Sequence, residues 1–273
     1  MISGKGSPVL LLHGFPETKL AWHKIAPKLA ATHTVVIPDL PGYGHSTAPA
    51  PDADYRNCSK RSMANALVEV MQQLGFDRFA VAGHDRGARV AYRMALDHPT
   101  NISQLIVLNI IPTLDMVEIL NYNTAVQMEN WFFLAQPPPH PETMLQASAD
   151  YYLQHIFDSW SEFPSRILPE AKAEYIRCFK QPGVIASICN EYRATTWDIE
   201  YDREDRNNNR LIHCPLHALW SKEGIPASIV DPLAIWNKWA DKVTGTALNG
   251  GHFLMEENPS QVLTHLSSHL NEH

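Results

Sequence analysis

Five short apolar runs, rich in β-branched residues, recur along the chain with helical stretches between them, and this alternation restricts the fold more than any other feature. The runs are Val9-Leu10-Leu11-Leu12, Val35-Val36-Ile37, Phe79-Ala80-Val81-Ala82, Leu105-Ile106-Val107-Leu108 and Leu216-His217-Ala218-Leu219-Trp220. Strands apolar on both faces suit a parallel sheet covered by helices on each side. Ser62 to Leu74 and Ala88 to Leu96 carry apolar residues at three- and four-residue intervals, closing at Gly75 and before Pro99. The pattern predicts an α/β protein with a doubly wound, mostly parallel sheet.

From Pro112 to about Asn209 strand alternation disappears. Helix-like stretches there are broken by Pro137-Pro138-Pro139, Pro141, Pro164, Pro169 and Pro182, with aromatics clustered at Trp131, Phe132, Phe133, Tyr151 and Tyr152. A helical insertion over residues 112–209 follows, dividing a core into residues 1–111 and 210–273. Because it leaves after the strand ending near Asn109, it is expected over the C-terminal ends of the strands, where open α/β sheets bind ligands. A strand, helix and strand resume from Pro215, and Gln261 to Leu270 forms a last helix.

The charge balance limits partners. With 22 Lys+Arg against 29 Asp+Glu the formal net charge is −7, and no Lys/Arg run is present. Nucleic acid and anionic membranes both require a contiguous positive surface, so neither is an expected partner. No apolar stretch approaches the roughly 18 residues of a membrane span, and no signal peptide is visible, which points to the cytoplasm. Cys58, Cys178, Cys189 and Cys214 are widely spaced, without C-x-x-C or a His at ligand spacing, so neither a zinc site nor a disulfide framework is expected.

Three motifs sit at element junctions. Gly83-His84-Asp85-Arg86-Gly87 follows a strand and opens a helix in the G-x-nucleophile-x-G pattern, with Asp where esterases carry Ser. His13-Gly14-Phe15-Pro16 follows the first long strand, so the Phe15 N–H can join the Arg86 N–H as an oxyanion hole. Gly250-Gly251-His252-Phe253 precedes the last helix and offers a base. A carboxylate can displace a leaving group from carbon, and a His-activated water can then hydrolyse the resulting ester.

These motifs resemble the α/β-hydrolase superfamily, and within it the haloacetate (fluoroacetate) dehalogenases. The likeness runs through His13 to Thr18 (HGFPET), Asp39 to Gly44 (DLPGYG), Gly83 to Arg89 (GHDRGAR), Ile111-Pro112-Thr113, Trp131 to Pro137 with its FLAQP, Glu191-Tyr192-Arg193-Ala194 and Gly251 to Leu254. It covers nearly the whole chain. It implies an α/β-hydrolase fold with a helical cap, Asp85 as nucleophile, His252 as base, and Arg86 and Arg89 gripping the carboxylate of a small anionic substrate. It further implies a halide pocket of Asn130, Trp131 and Tyr192, with Tyr43 and Trp160 nearby, and no cofactor or metal. Guanidinium forks suit carboxylates, and indole N–H and phenol O–H groups suit a departing halide.

Three positions depart from the family. Asn109 stands where the triad acid is expected; it can orient an imidazole but supplies no charge, and Glu223 is the candidate replacement. Asn130 replaces the His that defluorinating members share, which weakens the case for C–F cleavage. The N-terminal hairpin is missing, leaving a sheet edge for a second copy of the chain, in a homodimer, to cover. Two rival readings remain: an epoxide hydrolase of the same fold, which usually uses two cap tyrosines, and a hydrolase-like binding or sensor protein with an impaired triad.

Overall fold

The apolar runs become strands of one seven-stranded sheet. In the computed structural model, which describes residues 1–271, these are β1 (Ile2–Ser3), β2 (Pro8–Leu12), β3 (Thr34–Val36), β4 (Phe79–His84), β5 (Ile102–Leu108), β6 (Leu216–Ser221) and β7 (Val243–Leu248). Their spatial order is β1-β3-β2-β4-β5-β6-β7, and every pairing is parallel except β1 with β3. Strand periodicity sends alternate residues to opposite faces. Leu10, Leu12, Val81, Leu105 and Val107 join one apolar cluster, whereas Val9, Leu11, Ala80, Ala82, Ile106 and Leu108 join the other.

Helices cover both faces. They are α1 (Ala26–Leu29), α2 (Lys60–Gln73), α3 (Arg86–Asp97), α4 (Thr113–Glu118), α5 (Tyr122–Gln127), α6 (Glu129–Leu134), α7 (His140–Trp160), α8 (Pro169–Phe179), α9 (Val184–Arg193), α10 (Thr195–Asn207), α11 (Pro232–Trp236), α12 (Leu254–Glu257) and α13 (Pro259–Asn271). Met63, Leu67 and Met71 of α2 and Val90 and Met94 of α3 pack on the first face; Ala26, Leu29, Leu254, Val262 and Leu266 pack on the second. The seven helices α4 to α10 lie between β5 and β6, and no strand interrupts them among the described residues. None of the described helices is long and apolar enough to cross a membrane.

One expectation needs correcting. The sheet edge at β3 is not left bare, because Ile2 pairs with Val36 and Ser3 with Val35 in antiparallel register. Two residues suffice to supply the ladder that a longer hairpin was expected to provide, and the Met1 ammonium adds a hydrogen bond to the Ile37 carbonyl at 3.0 Å.

Candidate active site

The turn between β4 and α3 carries the first functional carboxylate. Asp85 has φ 46° and ψ −117°, outside the region L-residues prefer, so its side chain is lifted from the strand end. Tight packing makes this turn depend on glycine. A Cβ on Gly83 would lie 2.5 Å from the Gly87 carbonyl oxygen, and one on Gly87 would lie 2.3 Å from that of His13. Gly14 is constrained by Asp85 itself, since a Cβ there would meet the Asp85 Cβ at 2.5 Å.

The two oxygens of Asp85 differ in their surroundings. Oδ1 accepts the Phe15 N–H at 2.9 Å, whereas Oδ2 is 3.8 Å from His252 Nε2. Burial pushes this carboxyl up, but the electrostatic pull of the neighbouring His252 and His84 imidazoles and the Arg86 guanidinium, with the Phe15 N–H, outweighs it and holds the group below the ordinary carboxylate value. The group is held as an anion. Burial also dominates at His252 and, helped by the charges of His84 and Arg89 against that of Asp85, pulls the imidazole down to about 3. The ring is therefore neutral and free to accept a proton at Nε2, which has no hydrogen-bond partner.

The loop holding His252 is fixed from several sides. Its backbone N–H donates to the Trp160 carbonyl at 2.7 Å, and the Trp160 ring stands edge-on to the imidazole at 5.0 Å between centroids. The buried Glu257 carboxylate accepts the backbone N–H groups of Gly251, Phe253, Glu162 and Phe163 at 2.8 to 3.1 Å. Asn109, itself at φ 59°, donates to the His252 carbonyl at 2.6 Å and accepts from Ser221 N–H at 2.6 Å. These amide hydrogen bonds run to the main chain, one of them to the residue that carries the imidazole. Glu223 is exposed at the cavity wall.

A cavity of about 600 Å³ opens beneath helices α5 to α7. Asp85, Arg89, Asn109, Asn130, Trp131, Trp160, Glu223 and His252 all line it. Phe15, Arg86, Tyr43 and Tyr192 stand behind that wall. Arg86 gives Nε to both oxygens of Glu191, at 2.8 and 3.1 Å, and Nη2 also pairs with Glu191, leaving only Nη1 unpartnered. Of the two arginines expected to grip a carboxylate, Arg89 lines the cavity and Arg86 keeps Nη1 unpaired. Arg89 donates Nη1 to the Ile111 carbonyl at 3.2 Å and to Thr113 Oγ1 at 3.0 Å, keeps a buried Nε without a partner, and lies 4.6 Å from the Trp131 ring centroid. Asn130 donates to the Tyr192 hydroxyl at 3.1 Å, so the phenol proton remains available to another acceptor.

Several supporting residues are invisible to spacing arguments. Glu191 sits among Arg86, Lys60 and Tyr43, whose hydroxyl donates to it at 3.1 Å. Burial and the neighbouring Arg86 charge draw the Lys60 ammonium down to about 7. Behind His252, Glu17 Oε2 lies 3.2 Å from His84 Nδ1, and His84 Nε2 donates to the His252 carbonyl at 2.8 Å. Glu17 and His84 lie inside the HGFPE and GHDRG motifs, which was the available signal; Glu191 lies beside Tyr192, but only the fold joins it to Arg86.

Comparison with known proteins is consistent with this geometry. Residues 7–208 match the alpha/beta hydrolase fold family. A fluoroacetate dehalogenase from Burkholderia sp is 36% identical, covering 100% of this chain and 90% of that protein, and a soluble epoxide hydrolase from Corynebacterium sp. (strain C12) is 31% identical, covering 96% and 89%. A crystal structure from Nostoc sp PCC 7120, provisionally assigned as an α/β hydrolase, superposes with TM-score 0.97 at 45% identity, covering 100% of this chain and 93% of that one. A Pseudomonas aeruginosa structure provisionally assigned as an epoxide hydrolase gives TM-score 0.94 at 42% identity, covering 99% and 90%.

Proposed function

The chain belongs to the α/β-hydrolase fold family, and from that premise we propose that it hydrolyses the carbon–halogen bond of short 2-haloacids through an ester on Asp85, with the α4 to α10 helices as its cap. One observation carries this reading: the inequivalent oxygens of Asp85 share a cavity with the partly unpaired guanidinium of Arg89. Arg89 would hold the substrate carboxylate while Oδ2 attacks the α-carbon and the halide departs with the bonding electrons. Trp131 and the Tyr192 hydroxyl, held by Asn130, are the donors proposed to receive that halide. In the second step water gives a proton to His252 Nε2 and adds to the ester carbon. Negative charge develops on Oδ1, already bonded to the Phe15 N–H, and collapse releases a 2-hydroxy acid and restores the carboxylate.

Epoxide hydrolysis is the second reading, motivated by the Corynebacterium relative. It fits less well because oxirane opening usually calls on two cap tyrosines, and Tyr192, held by Asn130, is the one good candidate here. The test incubates the protein with chloro-, bromo- and fluoroacetate, and with styrene oxide, while halide and diol are measured. Chloride and bromide release, slower fluoride release, and complete loss in Asp85→Asn support the proposal. In oxygen-18 water the label should enter Asp85 in the first turnover and product only later. Diol without halide would favour the epoxide reading, and ligand-induced stabilisation without either product would favour a sensor.

A further inference from the structure

We propose that His45, Glu174 and Cys178 form a site for one divalent ion of borderline-soft, zinc-like character, fastening the loop after β3 to helix α8. None of the three lines the catalytic cavity. Glu174 and Cys178 are four residues apart in α8 and so share one face of it. His45 arrives from the loop, where its backbone N–H is pinned to Asp39 Oδ2 at 3.1 Å.

The distances suit a tetrahedral ion. Cys178 Sγ lies 3.3 Å from Glu174 Oε1 and 3.9 Å from His45 Nε2, and His45 Nε2 lies 3.7 Å from Glu174 Oε1. Zinc bonds of about 2.3 Å to sulfur and about 2.0–2.2 Å to nitrogen and oxygen place tetrahedral ligand atoms roughly 3.3–3.6 Å apart. Contractions of a few tenths of an ångström would close the triangle. Thiolate and carboxylate together balance a double positive charge, with neutral imidazole third and water fourth.

A second observation marks the same point. The Arg177 Nη2 is 2.7 Å from Glu174 Oε1, 3.2 Å from His45 Nε2 and 3.5 Å from Cys178 Sγ, so a positive group already rests where the three lone pairs converge. Arg177 is half exposed, and exposed ion pairs are weakly held, so it can turn into solvent when a metal arrives. The Cys178 thiol now donates to Glu174; binding would expel that proton to the buffer and replace it with a metal–sulfur bond. Sequence spacing gave no zinc site because one ligand comes from a loop and two from a distant helix. The loop also holds Tyr43, which donates to Glu191, so the ion would tether a segment that supports the Arg86 pair.

The test titrates the whole, reduced protein with Co²⁺ alone. The expected result is one bound equivalent with tetrahedral visible bands and a thiolate-to-cobalt band in the near ultraviolet, both displaced by Zn²⁺. Cys178→Ser should remove the thiolate band, and His45→Ala, a change at an exposed residue, should weaken binding at least about tenfold. Arg177→Gln should strengthen binding by removing the competing cation. Zn²⁺ should raise the Tm of the parent but not of Cys178→Ser. A thiolate band that survives Cys178→Ser, no bound cobalt at millimolar metal, or weaker binding in Arg177→Gln would overturn the proposal.

Discussion

Asn109 Nδ2 lies 2.6 Å from the main-chain carbonyl oxygen of His252, and this contact, not one with the imidazole, ties the end of β5 to the base loop. The opposite side of the same amide takes the Ser221 N–H. A carboxylate, which only accepts, cannot donate to one backbone group while accepting from the other. In Asn109→Asp a carboxylate oxygen would face a carbonyl oxygen, so we expect a loss of about 1–3 kcal/mol in stability and no gain in turnover. Denaturant unfolding beside steady-state rates checks this. Faster turnover at unchanged stability would show that residue 109 reaches the ring after all.

The low basicity of His252 sets the acid side of the pH profile. Its imidazole is drawn down to about 3, chiefly by burial, and its neutral form, the one proposed to activate water, therefore persists well below pH 6.5. Turnover should stay nearly flat from pH 8 to about pH 5, whereas an ordinary imidazole near 6.5 would lose activity across that interval. The same environment disfavours the imidazolium formed during ester hydrolysis. An adduct on Asp85 should consequently accumulate and be seen by intact-protein mass spectrometry; its absence during slow turnover would place the barrier in the first step.

The two arginines should fail differently. Arg89→Gln removes a charge-assisted contact worth about 1.5–3 kcal/mol, raising KM for haloacetates roughly 10- to 150-fold with little loss of fold. Arg86→Gln leaves the buried Glu191 with Lys60 as its charged partner beside the Tyr43 hydroxyl, and breaking such a pair costs about 3–5 kcal/mol. Its main effect should be on the denaturation midpoint. Equal KM changes without loss of stability in Arg86→Gln would mean that Nη1, not the pair with Glu191, is its contribution.

Glu17 gives a pH signature in stability. Burial raises its carboxyl to about 7 from 4.5, so between those values the folded chain holds a proton that the unfolded chain has released. Stability from this group is present below pH 4.5 and is lost as pH rises through 7. The stability of the parent relative to Glu17→Gln should therefore fall between pH 5 and 7.5, by an amount on the order of 1–3 kcal/mol. A difference independent of pH would show that Glu17 does not titrate there.

The elbow was legible because its constraint is local: Gly83, Asp85 and Gly87 occupy a turn too tight for other side chains, and chain order exposes such a turn. Strands β2, β4 and β5 were legible for a similar reason, since burial on both faces forces an uninterrupted apolar run. Side-chain direction was not. Arg86 and Arg89 are three residues apart at a helix start, which suggests a shared face, yet one follows the nucleophile directly and meets Glu191 from α9. Asn109 resembled a disabled acid because sequence shows which residue type is present and not which backbone atoms surround it. The two-residue β1 is too short to leave a period, and only its ladder with β3 reveals it.

The hydrogen bond from His252 N–H to the carbonyl of Trp160 has a consequence for recombination. A Cβ on Gly251 would lie 2.3 Å from the Glu162 nitrogen and 2.5 Å from the Trp160 oxygen, so the base loop and the end of α7 are moulded to each other at backbone level. A chimera that imports α4 to α10 from a relative will misplace His252 unless the junction after α7 and the Gly250–Phe253 loop travel with it. For the same reason inheritance here is modular only in part: the helices over the cavity and the loop carrying His252 are free to diversify together, but not separately.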